Sequence, residues 1–343
     1  MGERPDLTEE ALADALLNHY GIDAVAVGFL PGGQDATAWV YRVETGLSRP
    51  RYLVKVRAAN GPRDVAAAVS RYLHESGVVH VVAPIRSNTS ALSVQDGCFS
   101  LTVYPFIEGR TGVEAGLSDR SWRALGALAQ RLHTSRLPPS LMELLGRDTY
   151  RPAEVDVVRQ IDRAISGRSF SDRAAQEVAA FWTGHRDEIL ALVERTEELG
   201  RQIERLSLPL VLCHADLHTW NVMIDDGGEL WVIDWDEVIR APKERDLMFV
   251  IGGIGAGLIE QHETAWFLEG YGDTTVDPLA LSYYRHAWAT QDIGSYGERI
   301  FLVPSLEEGG RSEAARILMG LFDRGGIVEL ASASADGSAL RGS

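Results

Sequence analysis

His214-Ala215-Asp216-Leu217-His218-Thr219-Trp220-Asn221, followed further on by Ile233-Asp234, is the stretch on which the reading of this chain turns. It sits between an apolar, strand-like run at 210–213 and two strand-like arms at 222–224 and 230–234. The turn Asp225-Asp226-Gly227-Gly228 joins those arms, so a hairpin returns Asp234 toward Asn221. Asp216, ionised at a loop end, can accept the proton of a hydroxyl nucleophile and aim it. Asn221 and Asp234 offer hard oxygen ligands suited to Mg²⁺.

The interval from Asp216 to Asn221 is also that of phosphoryl-transfer catalytic loops, in which an aspartate precedes a metal-binding asparagine. Any one of the three residues could be an ordinary turn-former. The whole set in this order is far more specific. A rival reading takes His214-x-Asp216-x-His218 as a transition-metal chelate of a metallohydrolase. The other histidines, at 19, 74, 80, 133, 185, 262 and 286, show no ligand spacing among themselves, which weighs against it.

Toward the N-terminus the pattern predicts a helix over 8–20, capped by Thr8 and stopped by Gly21. Strands are expected at 24–30, 38–45, 51–58, 80–86 and 99–107, with a helix over 64–76. That order suits a small antiparallel sheet with one packed helix. Lys55 lies inside the apolar run Tyr52-Leu53-Val54-Lys55-Val56, where a buried ammonium is costly unless paired, and phosphate is an attractive partner. Gly32 and Gly33, between the first two strands, could let backbone N–H groups approach phosphates, although a plain hairpin loop explains them equally well. Gly253-Ile254-Gly255-Ala256-Gly257 lacks the strand and helix of a dinucleotide fingerprint and reads as packing or a helix terminus.

Beyond residue 117 the texture is helical: one period runs from Ser118 to about His133, and another over 174–206 is interrupted at Gly184. The Ser/Ala/Gly-rich stretch 331–343 has no periodicity and is expected to be disordered.

The chain has 343 residues, with 33 basic and 49 acidic side chains and a formal charge of −16. Such a surface repels nucleic-acid backbones and anionic lipid heads, so neither is an expected partner. Two distant cysteines, Cys98 and Cys213, build no disulfide framework or thiolate zinc site. No apolar stretch reaches membrane-spanning length and no leader is visible, so a cytoplasmic location is expected, with no obligatory protein partner. Residues 235–300 hold 11 acidic and 5 basic side chains, with Trp266, Tyr271, Trp288 and Tyr296 among them. This region could hold a cationic, sugar-like ligand, or could simply be a solvated face over core aromatics.

With those residues in place, the chain resembles the aminoglycoside phosphotransferase family, which shares the protein-kinase-like fold, over nearly everything from about residue 8 to 330. Within it, His19-Tyr20-Gly21-Ile22-Asp23, Tyr104-Pro105-Phe106-Ile107, Ile233-Asp234-Trp235-Asp236-Glu237, Ala241-Pro242-Lys243-Glu244-Arg245-Asp246-Leu247-Met248-Phe249 and Tyr283-Tyr284-Arg285-His286 look like spectinomycin phosphotransferases. The resemblance implies an α+β, bilobal fold: an antiparallel-sheet nucleotide lobe over 1–107 and a mostly helical lobe over 108–330. It implies that Asp216 is the catalytic carboxylate, that Asn221 and Asp234 hold Mg²⁺, and that Lys55 contacts the phosphates of ATP or GTP. By the same likeness Pro105 and Ile107 form the hinge that meets the purine, and Asp246 braces the catalytic loop. Family members pair the strand lysine with a glutamate on the next helix; the acid aligned here is Asp64, which is shorter, so either Asp64 reaches Lys55 directly in the donor site or a water or another acid takes its place. Substrate is expected past the hairpin, near Asp236, Glu237, Trp288 and Tyr296. A kinase for a nucleoside antibiotic or an amino alcohol is the alternative within enzymes. A catalytically inactive binding module is disfavoured by the intact Lys55, Asp216, Asn221 and Asp234.

Overall fold

The computed structural model describes residues 5–30, 38–46, 50–58, 65–251, 259–303, 306 and 308–335. Gly32, Gly33, Asp64 and the 253–257 glycine run lie outside the described residues. The chain opens with α1 (Glu9–Tyr20), β1 (Ala26–Leu30), β2 (Ala38–Glu44), β3 (Tyr52–Ala58) and α2 (Val65–Glu75). Next come β4 (Ser93–Asp96), β5 (Phe99–Pro105), β6 (Gly109–Thr111), α3 (Gly112–Ala115), α4 (Asp119–Thr134) and α5 (Pro139–Leu144). Helices α6 (Glu154–Ile165), α7 (Arg173–Gly184) and α8 (Arg186–Leu206) lead to β7 (Val211–Cys213) and a 3-10 turn at Thr219–Asn221. The remainder is β8 (Val222–Asp225), β9 (Leu230–Val232), β10 (Ile239–Ala241), α9 (Glu244–Leu247), α10 (Gln261–Tyr271), α11 (Pro278–Phe301), α12 (Glu308–Gly320) and α13 (Ile327–Ala335). No helix among the described residues is long and apolar enough to cross a membrane.

These elements form two compact units. The first comprises residues 1–121, 136–145 and 219–238. Its main sheet is antiparallel throughout, in the order β1-β2-β3-β5-β4. Alternation along β3 sends Val54 and Val56, both fully buried, into an apolar core with Leu12 and Leu16 of α1. Lys55 and Arg57 therefore share the opposite face. Helix α1 begins where the Thr8 hydroxyl accepts the Ala11 N–H at 3.1 Å, and it ends at left-handed Gly21 (φ 66°).

Residues 80–86 do not form the expected strand. Pro84 has no N–H to give a ladder, and only a bridge between Val81 and Val232 forms, with the Val82 N–H donating to the Val232 carbonyl at 3.2 Å. The sheet edge is instead β4, turned back onto β5 at Asp96-Gly97.

A second sheet, β6-β8-β9, belongs to this first unit as well. Gly109 makes its first pairing possible: a Cβ there would lie 2.1 Å from the Ile224 carbonyl oxygen. Because β8 and β9 pack with residues far upstream, contacts do not divide at residue 107, where sequence reading put the lobe boundary.

The second unit comprises residues 122–135, 146–218 and 239–343. Its core gathers Val155, Val158 and Ile161 of α6, Trp182 of α7, Ile189 and Val193 of α8, Ile293 and Ile300 of α11 and Leu318 of α12. Tyr296 is part of this core and only 6% exposed, so its ring is covered by protein and does not face a ligand. The break between α7 and α8 falls at Gly184, as the periodicity indicated. The stretch beginning at 331 is not wholly unstructured: α13 runs to Ala335, and Ala331 is fully buried in the same core. Alanine and serine carry a helix readily when one face has a core to pack on. Strands β7 and β10 pair antiparallel, with Cys213 opposite Ile239, and deliver the chain to His214.

Candidate active site

In the first unit a cleft of about 270 Å³ opens beside β3 and the end of β9. Val40, Leu53, Val82, Met223 and Ile233 give it apolar walls, and Tyr104, Pro105, Phe106 and Ile107 line it where β5 ends. Its polar groups are Lys55, Asp234 and Asp236. An apolar slot with a few convergent charges is what a nucleotide base and its phosphates require.

Lys55 is 11% exposed along its side chain, and its Nζ lies 3.1 Å from Asp234 Oδ1 and bonds Asp236 Oδ2 as well. Arg57 Nη2 reaches the same Asp236 oxygen at 2.6 Å. Burial works against a charged Lys55, but the Asp234 and Asp236 carboxylates outweigh it and raise the ammonium's pKa. Lys55 is therefore a cation at any physiological pH.

Asp234 follows β9 in the left-handed region, at φ 56°, and its carboxylate is 48% exposed. Such a backbone costs ~1–2 kcal/mol for a non-glycine residue, so the surrounding structure has to hold it. Part of that hold is the Ile233 N–H, which donates to the Asn221 carbonyl oxygen at 3.0 Å. Together with the Val222–Val232 pairing, this bond makes Asn221 and Asp234 neighbours. One amide oxygen and one exposed carboxylate are hard donors, and the pair fits Mg²⁺ rather than a softer metal.

In the second unit the chain bends sharply after β7. Ala215 adopts φ 67°, and the bend is fixed by Asp246, which is fully buried. Asp246 Oδ1 accepts the Ala215 N–H at 2.7 Å, and Oδ2 accepts the His214 N–H at 3.0 Å. His133 of α4 completes the brace, with Nε2 3.0 Å from Asp246 Oδ2 and Nδ1 2.7 Å from Tyr271 Oη. Burial alone would raise the Asp246 carboxyl's pKa, but His133 and the Ala215 N–H outweigh it and hold it below the usual range. This brace sets the direction in which Asp216 leaves the bend.

Asp216 is largely buried and lies 3.1 Å from His218 Nε2 through Oδ1. Burial pushes its pKa up, yet the His218 hydrogen bond and charge, with His214 and Arg245, bring it below the ordinary value. The His218 ring meets Phe249 and Trp288 edge-on, at 5.7 and 6.4 Å between centroids. Arg245 sits over Trp288 at 5.2 Å. One turn beyond Trp288 on α11 lies half-buried Asp292, whose pKa is pushed up to about 7 by burial and by the charge of Asp216.

Of the expected site residues, Lys55, Pro105, Ile107, Asp234 and Asp236 line one cleft. Asp236 does not face an open acceptor pocket there; it is committed to Lys55 and Arg57. Glu237, its neighbour, is exposed. The acidic excess over 235–300 is likewise largely spent inside the structure. Glu244 accepts from Lys243 and the Asp277 N–H, Glu260 and Glu263 form a capping box, and Asp277 caps α11.

Sequence reasoning missed Arg57, His133 and Asp292. Arg57 was signalled by its place two residues after Lys55, and Asp292 by being a lone acid in a helix face otherwise rich in aromatic and small residues. His133 carried no local signal.

The metallohydrolase reading finds no support. Among the described residues the one convergent set of ligand-type atoms is His133, Cys213 and Asp246, which does not include Asp216 or His218. Each member of that set is already bonded, the Cys213 thiol donating to the Ala241 and Pro242 carbonyl oxygens. The set is the loop brace, not a metal centre.

Comparison with known proteins agrees with this geometry. Residues 27–279 match the phosphotransferase enzyme family. Protein StrN of Streptomyces griseus is 25% identical over 269 residues, which are 70% of this chain and 73% of that protein. An aminoglycoside 3'-phosphotransferase of Streptomyces fradiae is 26% identical over 271 residues, 73% of this chain and 90% of that one. A crystal structure of a spectinomycin phosphotransferase in complex with ADP and spectinomycin is 32% identical, with a TM-score of 0.87, covering 96% of this chain and 99% of that one. An ethanolamine kinase of Plasmodium vivax, 15% identical with a TM-score of 0.57 over 93% of this chain and 92% of that one, shares the fold alone. The chain thus belongs to the phosphotransferase enzyme family, has its α+β kinase-like fold, and is a small-molecule phosphotransferase.

Proposed function

We propose that the protein moves the γ-phosphoryl group of ATP to a hydroxyl of a cationic aminocyclitol, spectinomycin or a close relative. The observation that carries the reading is the full-length likeness to a spectinomycin phosphotransferase at 32% identity, in a chain that retains Lys55, Asp216, Asn221 and Asp234. In this reading the purine lies against Pro105 and Ile107, and Lys55 serves the donor phosphates; all three residues line one apolar cleft, which supports it. Asn221 and Asp234 hold Mg²⁺, which neutralises the charge of those phosphates when bound. Asp216, ionised at neutral pH, accepts the acceptor's hydroxyl proton and aims its oxygen at the γ-phosphorus. The transition state is loose, so catalysis is positioning and charge balance more than covalent work. The cytoplasm, where ATP is made available, is the proposed place of action.

A cationic acceptor suits the neighbourhood of Asp216. Asp292 puts a second carboxylate there, and Trp288 a ring face. Asp292 is faced by Asp216, His218, Glu154 and Arg245. With its pKa near 7 it is ionised above that pH and neutral below it. The expected result is a kcat/KM for the acceptor that falls as pH drops below about 7, in a limb that Asp292→Asn flattens. His218, whose pKa is raised by Asp216 and Asp292 against the effect of burial, gains charge in the same direction as pH falls, so the Asp292→Asn variant is what assigns the limb. A limb unchanged in Asp292→Asn would remove Asp292 from acceptor binding.

The function itself is tested by acceptor-dependent ADP release over a panel of aminocyclitols, aminoglycosides, nucleoside antibiotics and amino alcohols, with ATP and GTP as donors. Highest kcat/KM for spectinomycin or a close aminocyclitol is expected. Turnover confined to nucleosides or amino alcohols would transfer the assignment to those classes.

A further inference from the structure

Among the described residues Lys55 has two carboxylate partners, and only one of them is left to it once the donor binds. Asp234 is a metal ligand in the reading above, so its charge is then drawn to the cation. What remains beside Lys55 among the described residues is Asp236, and Asp236 is not held by Lys55 alone. Arg57 Nη2 bonds the same Oδ2 at 2.6 Å. Side-chain exposures of 11% for Lys55, 20% for Arg57 and 23% for Asp236 mark this as a built, largely desolvated group.

Its geometry follows from three local rules. Lys55 and Arg57 are two apart on β3 and so emerge from one face, while Val54 and Val56 anchor the other in the core. Left-handed Asp234 turns the chain, and buried Trp235 locks the turn, its Nε1–H donating to the Val232 carbonyl at 3.2 Å. The Val238 N–H, bonded to the Trp235 carbonyl at 3.1 Å, fixes the far side. Asp236 is thereby aimed back at β3.

We infer that Asp236, locked by Arg57, is the positioning residue that holds Lys55 against the donor's phosphates, the task performed in relatives by a helix glutamate. The inference rests on the donor site proposed above and goes beyond it. Asp236 consequently belongs to donor binding, not to the acceptor.

The test is calorimetric titration of the intact protein with ADP and with adenosine, each with and without Mg²⁺. Asp236→Asn is expected to weaken ADP by on the order of tenfold, as loss of a charge-assisted contact does, and to leave adenosine unchanged because its contacts lie at the β5 end of the cleft. Arg57→Gln is expected to show the same pattern more weakly, with Arg57→Lys restoring most of the loss. In steady state the KM for ATP rises while that for the acceptor does not. Equal ADP affinity in wild type and Asp236→Asn would overturn the inference. So would equal losses for ADP and adenosine, which mean a collapsed cleft, or an effect confined to the acceptor's KM. None of these readouts depends on which acceptor the enzyme uses, so an error in the antibiotic assignment would leave the result interpretable.

Discussion

Asp216→Ala is expected to lower kcat by roughly 10²–10⁴-fold, the range that general-base residues supply, while ADP affinity stays within a few-fold. The carboxylate is ionised at neutral pH, since His218, His214 and Arg245 outweigh its burial, so it is ready to take a proton. Removing it deletes the acceptor and the aligner of the hydroxyl, both of which act on the transition state. In the proposed reading donor binding rests on the cleft around Lys55, to which Asp216 does not contribute. Asp216→Asn separates the two tasks, because an amide still orients a hydroxyl but cannot take its proton. Steady-state kinetics with parallel calorimetry on ADP checks the split. Wild-type turnover in Asp216→Ala would end the assignment of Asp216 as catalytic.

The second large effect is on stability. Asp246 is fully buried, accepts three hydrogen bonds and faces His133, whose side chain is 3% exposed. Breaking such a pair leaves buried donors unanswered, and Asp246→Ala is expected to cost ~3–5 kcal/mol of folding stability. It also frees Ala215 from its left-handed bend, so kcat falls even where the variant remains folded. The pH dependence has a definite sign. The folded carboxyl titrates below its ordinary value, so its stabilisation is complete above the unfolded pKa of about 3.9 and is lost as pH falls through the lower folded value. Urea denaturation across pH tests both points. An Asp246→Ala protein as stable as wild type, or a wild type without an acid limb that Asp246→Asn reduces, would show that the brace carries no such load.

The local structure of the candidate catalytic stretch was legible because its information is local. Asp216, Asn221 and Asp234 are fixed by spacing and by one hairpin, and that hairpin forms as β8 and β9. Lys55 was legible for a similar reason, since a charge inside an apolar strand needs an explanation wherever the strand is placed. The bonds of Asp236 to Lys55 and Arg57 were not legible because these partners are 181 and 179 residues away, on β3, and nothing near Asp236 in sequence announces them. Asp292 acquires its raised pKa from burial and from the charge of Asp216, which tertiary packing brings near and no periodicity specifies. Tyr296 illustrates the converse, an aromatic taken for a ligand platform that serves the core between α6, α11 and α12. Strand β4 escaped although Asp96-Gly97 is a strong hairpin signal, because the arm Ser93-Val94-Gln95-Asp96 is short and polar.

The central claim is transfer of one phosphoryl group to a hydroxyl of an aminocyclitol by a reaction that needs Asp216. The most direct measurement incubates purified protein with Mg²⁺, ATP and spectinomycin and reads the products by mass spectrometry and ³¹P NMR. The account predicts ADP in equal amount to a spectinomycin monophosphate ester, formed by wild type and not by Asp216→Ala. ADP and free phosphate with unmodified antibiotic, or an ester formed equally well by Asp216→Ala, would contradict it.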